Sequence, residues 1–323
     1  MQVPLFVWRG TYAVTPPNEI RTKTIYNWTA VVYELVVLLL FGCIFVELER
    51  KWSLIQQKAL NQCLASIFDQ FKNQSLDAVC FKGWSLARFY PENRLRSYND
   101  IDIIVSPADY GKTLRIIRSL PFKSVSVDVH GGIRDRDTLS FEELFSRSYL
   151  AKLDDIDVRV LGDEDNLRIT SAHWLIDGGV FKEKLWDIYY LVSNRAENFD
   201  WSRCIDAPGP IRRTWVLTAV ATARDYLGLD VSGLPNSLRK FELPNWYRRT
   251  LDREWARDPK PRIPLLSCLK QPDLFVKQVR HRFPPNPIAA TTDTEGPIDD
   301  SWRVPYQIKS IVKKLRNAPR IGR

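Results

Sequence analysis

The chain has 323 residues, of which 45% are hydrophobic, and this is enough to bury a substantial core in about two domains. Its five cysteines show no Cys-x-x-Cys spacing, and it has only three histidines, so a zinc framework is not indicated. Scattered cysteines favour free thiols in the reducing cytoplasm. Seven Lys and Arg, and no acid, follow Asp300, so the net charge of +9 is concentrated in a basic tail. A uniformly basic nucleic-acid-binding surface is therefore not indicated.

The N-terminal region, residues 1–73, is predicted to be mostly helical. Pro16-Pro17 breaks any early element, and a long helical pattern then runs to about residue 73. Within it, residues 30–46 form an apolar run that is at the short end for a membrane span and contains Glu34. We expect this run to pack as a helix beside the rest of the protein, and a membrane anchor is the alternative.

Two alternating runs carry three acidic residues. Residues 100–105 read Asp-Ile-Asp-Ile-Ile-Val, which predicts a strand with Asp100 and Asp102 on one face. Residues 124–130 predict a second strand with Asp128 on its polar face. Two strand positions span about 6.5 Å, so neighbouring strands would let the three carboxylates meet. Such a cluster suits two Mg²⁺ ions. The alternative is that these polar residues face water.

A turn with a Gly-x-Ser pattern precedes the first acidic strand. After a predicted strand at 78–81 come Lys82, Gly83 and Ser85. Gly83 would allow a close backbone approach, and Ser85 is expected to cap the helix that begins there. A helix N-terminus favours an anionic phosphate, and Lys82 or Arg96 would neutralise its charge. The alternative is an ordinary strand-to-helix turn.

These residues resemble the nucleotidyltransferase superfamily, which has the fold of DNA polymerase beta. Within it the chain looks most like the bacterial uncharacterised nucleotidyltransferase family, over about residues 55–230. The matching motifs in the sheet region are Lys82-Gly83, Tyr90-Pro91, Arg96-x-x-x-Asp100-Ile101-Asp102 and Asp128-x-His130. Those in the helical region are Ala172-His173, Lys184-Leu185-Trp186-Asp187 and Asp200-Trp201. Trp84 departs from the Gly-Ser or Gly-Gly pattern of many superfamily members.

The resemblance implies an α+β fold: a small mixed nucleotidyltransferase sheet flanked by helices, with helical N- and C-terminal regions. It implies transfer of a nucleoside monophosphate from an NTP such as ATP to an acceptor hydroxyl, with release of pyrophosphate and dependence on two Mg²⁺ ions. The implied catalytic and metal-binding residues are Asp100, Asp102 and Asp128. The implied nucleotide-binding residues are Lys82, Gly83, Ser85 and Arg96.

The resemblance leaves the acceptor open between a small molecule, RNA and a protein hydroxyl. Two other functions remain as alternatives. One is a catalytically silent protein that binds a nucleotide or a partner. The other is a membrane-tethered scaffold that uses residues 30–46 and the basic tail. The intact set of three carboxylates favours the enzyme over both.

The domain organisation is predicted as an N-terminal helical region (1–73), a nucleotidyltransferase core (74–160), a helical domain (161–235) and a C-terminal part (236–323). A second acidic run, Asp154-Asp155-Ile156-Asp157, lacks a preceding Gly-x-Ser and is interpreted as an edge strand or turn with solvated acids.

The C-terminal part is predicted to contain an extended connection and a tail helix. Frequent prolines between residues 258 and 297 indicate the connection. Apolar residues at 308, 311, 312 and 315 then recur at helical spacing and predict an amphipathic helix. We expect it to dock on its own domain with Lys and Arg facing water. Contact with RNA or an acidic membrane is the alternative.

Overall fold

The computed structural model describes residues 28–317 except 93, 123, 134–136, 258–262, 264 and 269; for residues 28–50, 265, 266, 281 and 317 it describes the backbone alone. The chain divides into two units, Met1–Trp52 and Ser53–Arg323. The backbone is helical over Trp28–Asn73 (α1), as predicted. The packing expected for residues 30–46 depends on side chains that lie outside the described part of the structure. Among the residues whose side chains the structure describes, which begin at Lys51, no helix is both long enough and apolar enough to cross a membrane.

The second unit contains a mixed five-stranded sheet. Its strands are β1 (Ala78–Phe81), β2 (Asp100–Val105), β3 (Ser126–Gly131), β4 (Tyr149–Leu153) and β5 (Ile156–Val160). They lie in the order β3-β2-β1-β5-β4. Strands β2 and β3 are parallel, as are β1 and β5, whereas β1–β2 and β4–β5 are antiparallel. The α+β class with a mixed sheet is thus confirmed.

The two faces of the sheet pack against different helices. On one face Ile101 and Ile103 of β2 join Ile67 and Phe71 of α1 in a buried cluster, with Val127 of β3 at its margin. On the other face Val79, Phe81 and Ile104 pack against α4 (Phe141–Arg147) and Ile169 of α5 (Asp163–Ile176). The predicted alternation along β2 is confirmed, and it places Asp100 and Asp102 on the face opposite α1.

A larger core holds the helical region together. The helices around it include α2 (Gly83–Ala87), α6 (Leu185–Ser193), α7 (Trp201–Ile205) and α8 (Gly209–Leu227), whereas α3 (Tyr110–Ser119) packs in the sheet cluster with α1. Leu86 of α2 joins the buried side chains of α5, α6 and α8 in this cluster.

Asp154 and Asp155 form the exposed turn of the β4–β5 hairpin, as predicted, and exposed Asp157 pairs with Lys152. The subdivision of this unit at residues 160 and 235 stays a prediction.

The expected extended connection before the tail is wrong. The C-terminal part contains α9 (Asn236–Arg239), α10 (Asn245–Trp255), α11 (Pro272–Arg282), α12 (Pro287–Asp293) and α13 (Val304–Asn317). Pro272 and Pro287 each stand at the first position of a helix, where a missing amide costs nothing and the fixed φ favours the helical turn. The Asn286 side chain caps α12 by accepting from two backbone amides. Two of the prolines in this stretch therefore mark helix starts.

Candidate active site

The three predicted carboxylates lie on one face of neighbouring strands. Asp102 of β2 is the direct register partner of Asp128 in the parallel β3, and adjacent strands lie about 4.8 Å apart. Asp100 is two positions from Asp102 and therefore shares its face. The sheet register thus brings these three side chains into one neighbourhood.

Asp102 is the buried member of the group, with 3% of its surface exposed. Lys82 Nζ donates to Asp102 Oδ1 at 2.9 Å, and His130 Nε2 lies 3.3 Å from the same oxygen. Burial acts to raise the pKa of Asp102, but the hydrogen bonds and charges of His130 and Lys82 outweigh it and lower that pKa below its ordinary value. Asp102 is therefore held ionised beneath the more exposed acids.

Asp100 is half-buried and Asp128 is exposed. Burial, and then the charges of Asp102 and Asp128, raise the pKa of Asp100, against the opposing influence of Lys82 and Lys184. The raised pKa means that the fold disfavours the ionised form of Asp100. Negative charge is thus concentrated at this edge of the site, and a cation would relieve it.

The donor set fits a divalent cation. Carboxylate oxygens are hard ligands, and Mg²⁺ prefers ligands of this kind. Within the described residues, however, no three His, Cys, Asp or Glu side chains already stand in a metal-binding arrangement. At Asp102, the Lys82 ammonium already pairs with carboxylate oxygen Oδ1 at 2.9 Å. A metal ion at that oxygen would have to displace this ammonium.

The turn between β1 and α2 is backbone-strained. Lys82 has a φ of 54° and Gly83 a φ of 34°, and residues that carry a Cβ atom disfavour this region. A Cβ on Gly83 would lie 3.3 Å from the carbonyl oxygen of Asp100. Glycine is required here because β2 approaches the turn closely. Strain of this kind collects at functional sites, and it aims the Lys82 side chain at Asp102.

The expected cap by Ser85 is wrong. The cap position of α2 is Lys82, the helix begins at Gly83, and Ser85 lies inside it. Ser85 is 0% exposed, and its hydroxyl accepts a hydrogen bond from Asn166 Nδ2 at 3.2 Å. The fold draws Ser85 into the contact between α2 and α5. A phosphate contact by Ser85 stays a prediction, and it would require the side chain to leave this position.

Arg96 is engaged by an acidic partner. Its Nε and Nη2 atoms donate to the two carboxylate oxygens of Asp187 at 2.6 and 2.8 Å, and Nη1 donates to the Gly83 carbonyl at 3.0 Å. The Tyr90 hydroxyl also donates to Asp187, at 2.7 Å. Arg96 thus joins the strained turn to α6. Its contact with phosphate stays a prediction, and in this geometry Asp187 and the Gly83 carbonyl engage its guanidinium.

Lys184 and Asn166 are among the residues near the site to which no role was assigned from the sequence. The charge of Lys184, which precedes α6, opposes the rise in the pKa of Asp100. Asn166, in the first turn of α5, holds Ser85. Both are distant from the Asp-x-Asp strand along the chain, and only the Lys184 motif offered a signal in advance.

The family comparison agrees with this geometry. A family model described as Uncharacterised nucleotidyltransferase matches residues 46–208, half of the chain, and the match contains the whole sheet. The chain belongs to this uncharacterised nucleotidyltransferase family. No curated protein and no solved structure matches the chain. All seven predicted site residues lie inside the nucleotidyltransferase segment.

Replacing Asp100 by Asn is expected to stabilise the metal-free nucleotidyltransferase domain at pH 7. Because the pKa of Asp100 is raised in the folded protein, the ionised carboxylate destabilises the fold once the pH exceeds that pKa. An uncharged Asn at this position removes the destabilisation. The gain should stay below about 1 kcal/mol, because solvent screens a half-exposed side chain. Urea unfolding without divalent ions measures it, with Asp157→Asn on the exposed hairpin as the control. A lower stability of Asp100→Asn would show that the carboxylate is structural.

Proposed function

We propose that the protein is a Mg²⁺-dependent nucleotidyltransferase that moves a nucleoside monophosphate from an NTP to an acceptor hydroxyl and releases pyrophosphate. The observation that carries this proposal is the juxtaposition of Asp100, Asp102 and Asp128 on one face of two paired strands, inside the family segment. ATP is the first nucleotide to try. The cytoplasm is the proposed compartment, since the scattered cysteines suit a reducing interior.

In this proposal, Asp100, Asp102 and Asp128 hold the metal ions, which when bound neutralise phosphate charge and orient the reacting groups. Lys82 and Lys184 supply positive charge for the departing pyrophosphate. The acceptor oxygen forms a bond to the α-phosphorus while the bond from that phosphorus to the pyrophosphate oxygen breaks. The exposed carboxylate of Asp128 takes the hydroxyl proton and passes it to solvent.

The chain's contribution is then mainly positioning and electrostatics. Phosphoryl chemistry needs little covalent help from a protein, so rate enhancement comes from oriented charge. Arg96 would act indirectly, because it donates to the Gly83 carbonyl and so holds the turn that carries Lys82. The Lys82–Asp102 ion pair would open when an NTP complexed with Mg²⁺ offers each partner a new counter-charge.

A second candidate is a nucleotide-binding protein without turnover. The engagement of Asp102 by both Lys82 and His130 favours it, since that carboxylate is satisfied without a metal ion. The two functions differ in whether label from an NTP becomes covalently attached to an acceptor.

The deciding experiment is label transfer. The purified protein is incubated with each α-labelled NTP, Mg²⁺ and a cell extract, and label on RNA, protein or a small molecule identifies the acceptor class.

Asp128→Asn is the informative variant because Asp128 is exposed, so the fold should persist while transfer falls about a hundredfold or more. Asp157→Asn should retain full transfer. Equal labelling by wild type and Asp128→Asn would contradict the proposed site. Retained NTP binding without any labelling would support the silent protein.

A further inference from the structure

Helix α13 is attached to the protein through its polar side. Ser310 Oγ donates to Asp293 Oδ2 at 2.5 Å, and Lys313 Nζ donates to Asp293 Oδ1 at 2.9 Å. Gln307 Nε2 donates to the carbonyl of Pro285 at 2.6 Å. Burial acts to raise the pKa of Asp293, but the bonds from Ser310 and Lys313 prevail and lower it. The orientation of α13 is therefore set by hydrogen bonds and charge.

The consequence is an apolar stripe that points away from the protein. Ile308, Val312 and Leu315 follow one another at helical spacing and are 57%, 39% and 70% exposed. Trp302, just before the helix, is 73% exposed. An amphipathic helix of a globular protein ordinarily turns its apolar face to the core. Here α13 docks on its own domain with Lys and Arg facing water, as expected, but the apolar stripe is exposed as well, and no element among the described residues covers it.

The stripe is flanked by positive charge. Lys309, Lys314 and Arg316 are exposed on α13, and the chain after Asp300 contains no acid. Arg320 and Arg323 add two further positive charges in the sequence beyond the helix. A helix with an apolar face, basic flanks and an aromatic residue at one end has the composition of a segment that lies in a membrane interface.

We propose that α13 binds the surface of an anionic lipid bilayer, lying in the plane of the headgroups with Ile308, Val312, Leu315 and Trp302 inserted. Charge complementarity selects this occupant. A second copy of the chain would set basic flank against basic flank across a two-fold axis, which is repulsive. Single-stranded RNA binds by stacking on aromatic rings, whereas this stripe is mainly aliphatic.

The test is co-sedimentation of the full chain with vesicles of phosphatidylcholine, with and without phosphatidylserine. The chain should bind the anionic vesicles, and added salt should weaken the binding. The variant Ile308→Ser/Val312→Ser/Leu315→Ser should lower the partition coefficient about tenfold or more, because binding scales with the apolar area inserted. The variant Lys309→Glu/Lys314→Glu/Arg316→Glu should lose the preference for phosphatidylserine.

Matched controls separate the surface from general effects. Leu150→Ser, at an exposed position of the edge strand β4, and Lys240→Glu, at an exposed position after α9, should leave binding unchanged. Circular dichroism and urea unfolding check that each variant is folded. Should the triple serine variant fail to fold, Leu315→Ser alone replaces it, since that side chain is largely exposed and is expected to reduce binding about threefold.

Four outcomes would overturn the proposal. The first is no binding to anionic vesicles. The second is unchanged binding by the folded serine variant, which would assign any membrane contact to another part of the chain, such as residues 30–46. The third is binding of polyuridylate that depends on the basic residues and not on the stripe. The fourth is self-association by size exclusion that the serine variant abolishes, which would make a second copy the occupant.

Discussion

Replacing Asp102 by Asn is expected to lower the proposed NTP-dependent transfer about a thousandfold, because the loss of a proposed metal ligand would remove several kcal/mol of transition-state stabilisation. The same change should reduce the free energy of unfolding by about 1–3 kcal/mol, since Lys82 then faces a neutral partner in a largely buried position. The domain should remain folded. Initial rates of label transfer and urea unfolding of the same preparation measure the two effects.

The double variant Lys82→Met/Asp102→Asn separates these effects. Removing the ammonium as well takes away the unpaired charge, so stability should return toward that of the wild type. Transfer should stay at the level of Asp102→Asn or below it. Recovery of transfer together with stability would show that Asp102 serves the fold and is not a ligand. Asp157→Asn should retain full transfer and lower the free energy of unfolding by no more than about 1 kcal/mol, since it breaks only an exposed pair with Lys152.

Replacing Arg96 by Met is expected to lower the free energy of unfolding by about 3–5 kcal/mol, the cost of leaving one member of a buried ion pair alone. Asp187 would keep its charge while losing both hydrogen bonds from the guanidinium, and the Gly83 carbonyl would lose its donor. The turn that carries Lys82 should loosen with it. Urea unfolding at pH 7 gives the stability, and steady-state kinetics give KM for the NTP and kcat.

Arg94→Met is the matched control, because Arg94 is exposed, where it covers the ring of Trp186 at 3.7 Å and donates to the Tyr190 hydroxyl at 3.3 Å. Its loss should cost about 1 kcal/mol or less. The double variant Arg96→Met/Asp187→Leu should recover much of the stability lost in Arg96→Met, since no buried charge is left unpaired. Unchanged stability of Arg96→Met with a raised KM would instead support the phosphate contact predicted from the sequence.

Local patterns predicted the elements of the site. Alternation of Asp and Ile along β2 predicted which face carries Asp100 and Asp102, because side chains of a strand alternate and the isoleucines must reach the core. The same argument placed Asp128 on the polar face of β3. The long helix and the amphipathic character of α13 also followed from apolar spacing, since that spacing is a property of neighbours along the chain.

Partners of the site residues required the tertiary structure. Asp187 lies 91 positions from Arg96, and Asn166 lies 81 positions from Ser85, so no local pattern could reveal that each pair meets. The start of α2 at Gly83, two residues before the expected cap, depends on the close approach of β2. Proline density suggested an extended connection because a proline at a helix start and a proline in a loop look alike in sequence.

By itself, the sequence determined the chemistry available to this protein: three carboxylates on strand faces, a basic tail, and an amphipathic final helix. Only the tertiary structure decided which of those groups are engaged and which are free. It paired Asp102 with Lys82 and Arg96 with Asp187, and it turned the apolar stripe of α13 outward. The physical reason is that strand and helix periods depend on near neighbours, whereas ion pairs and docking faces depend on how distant segments pack.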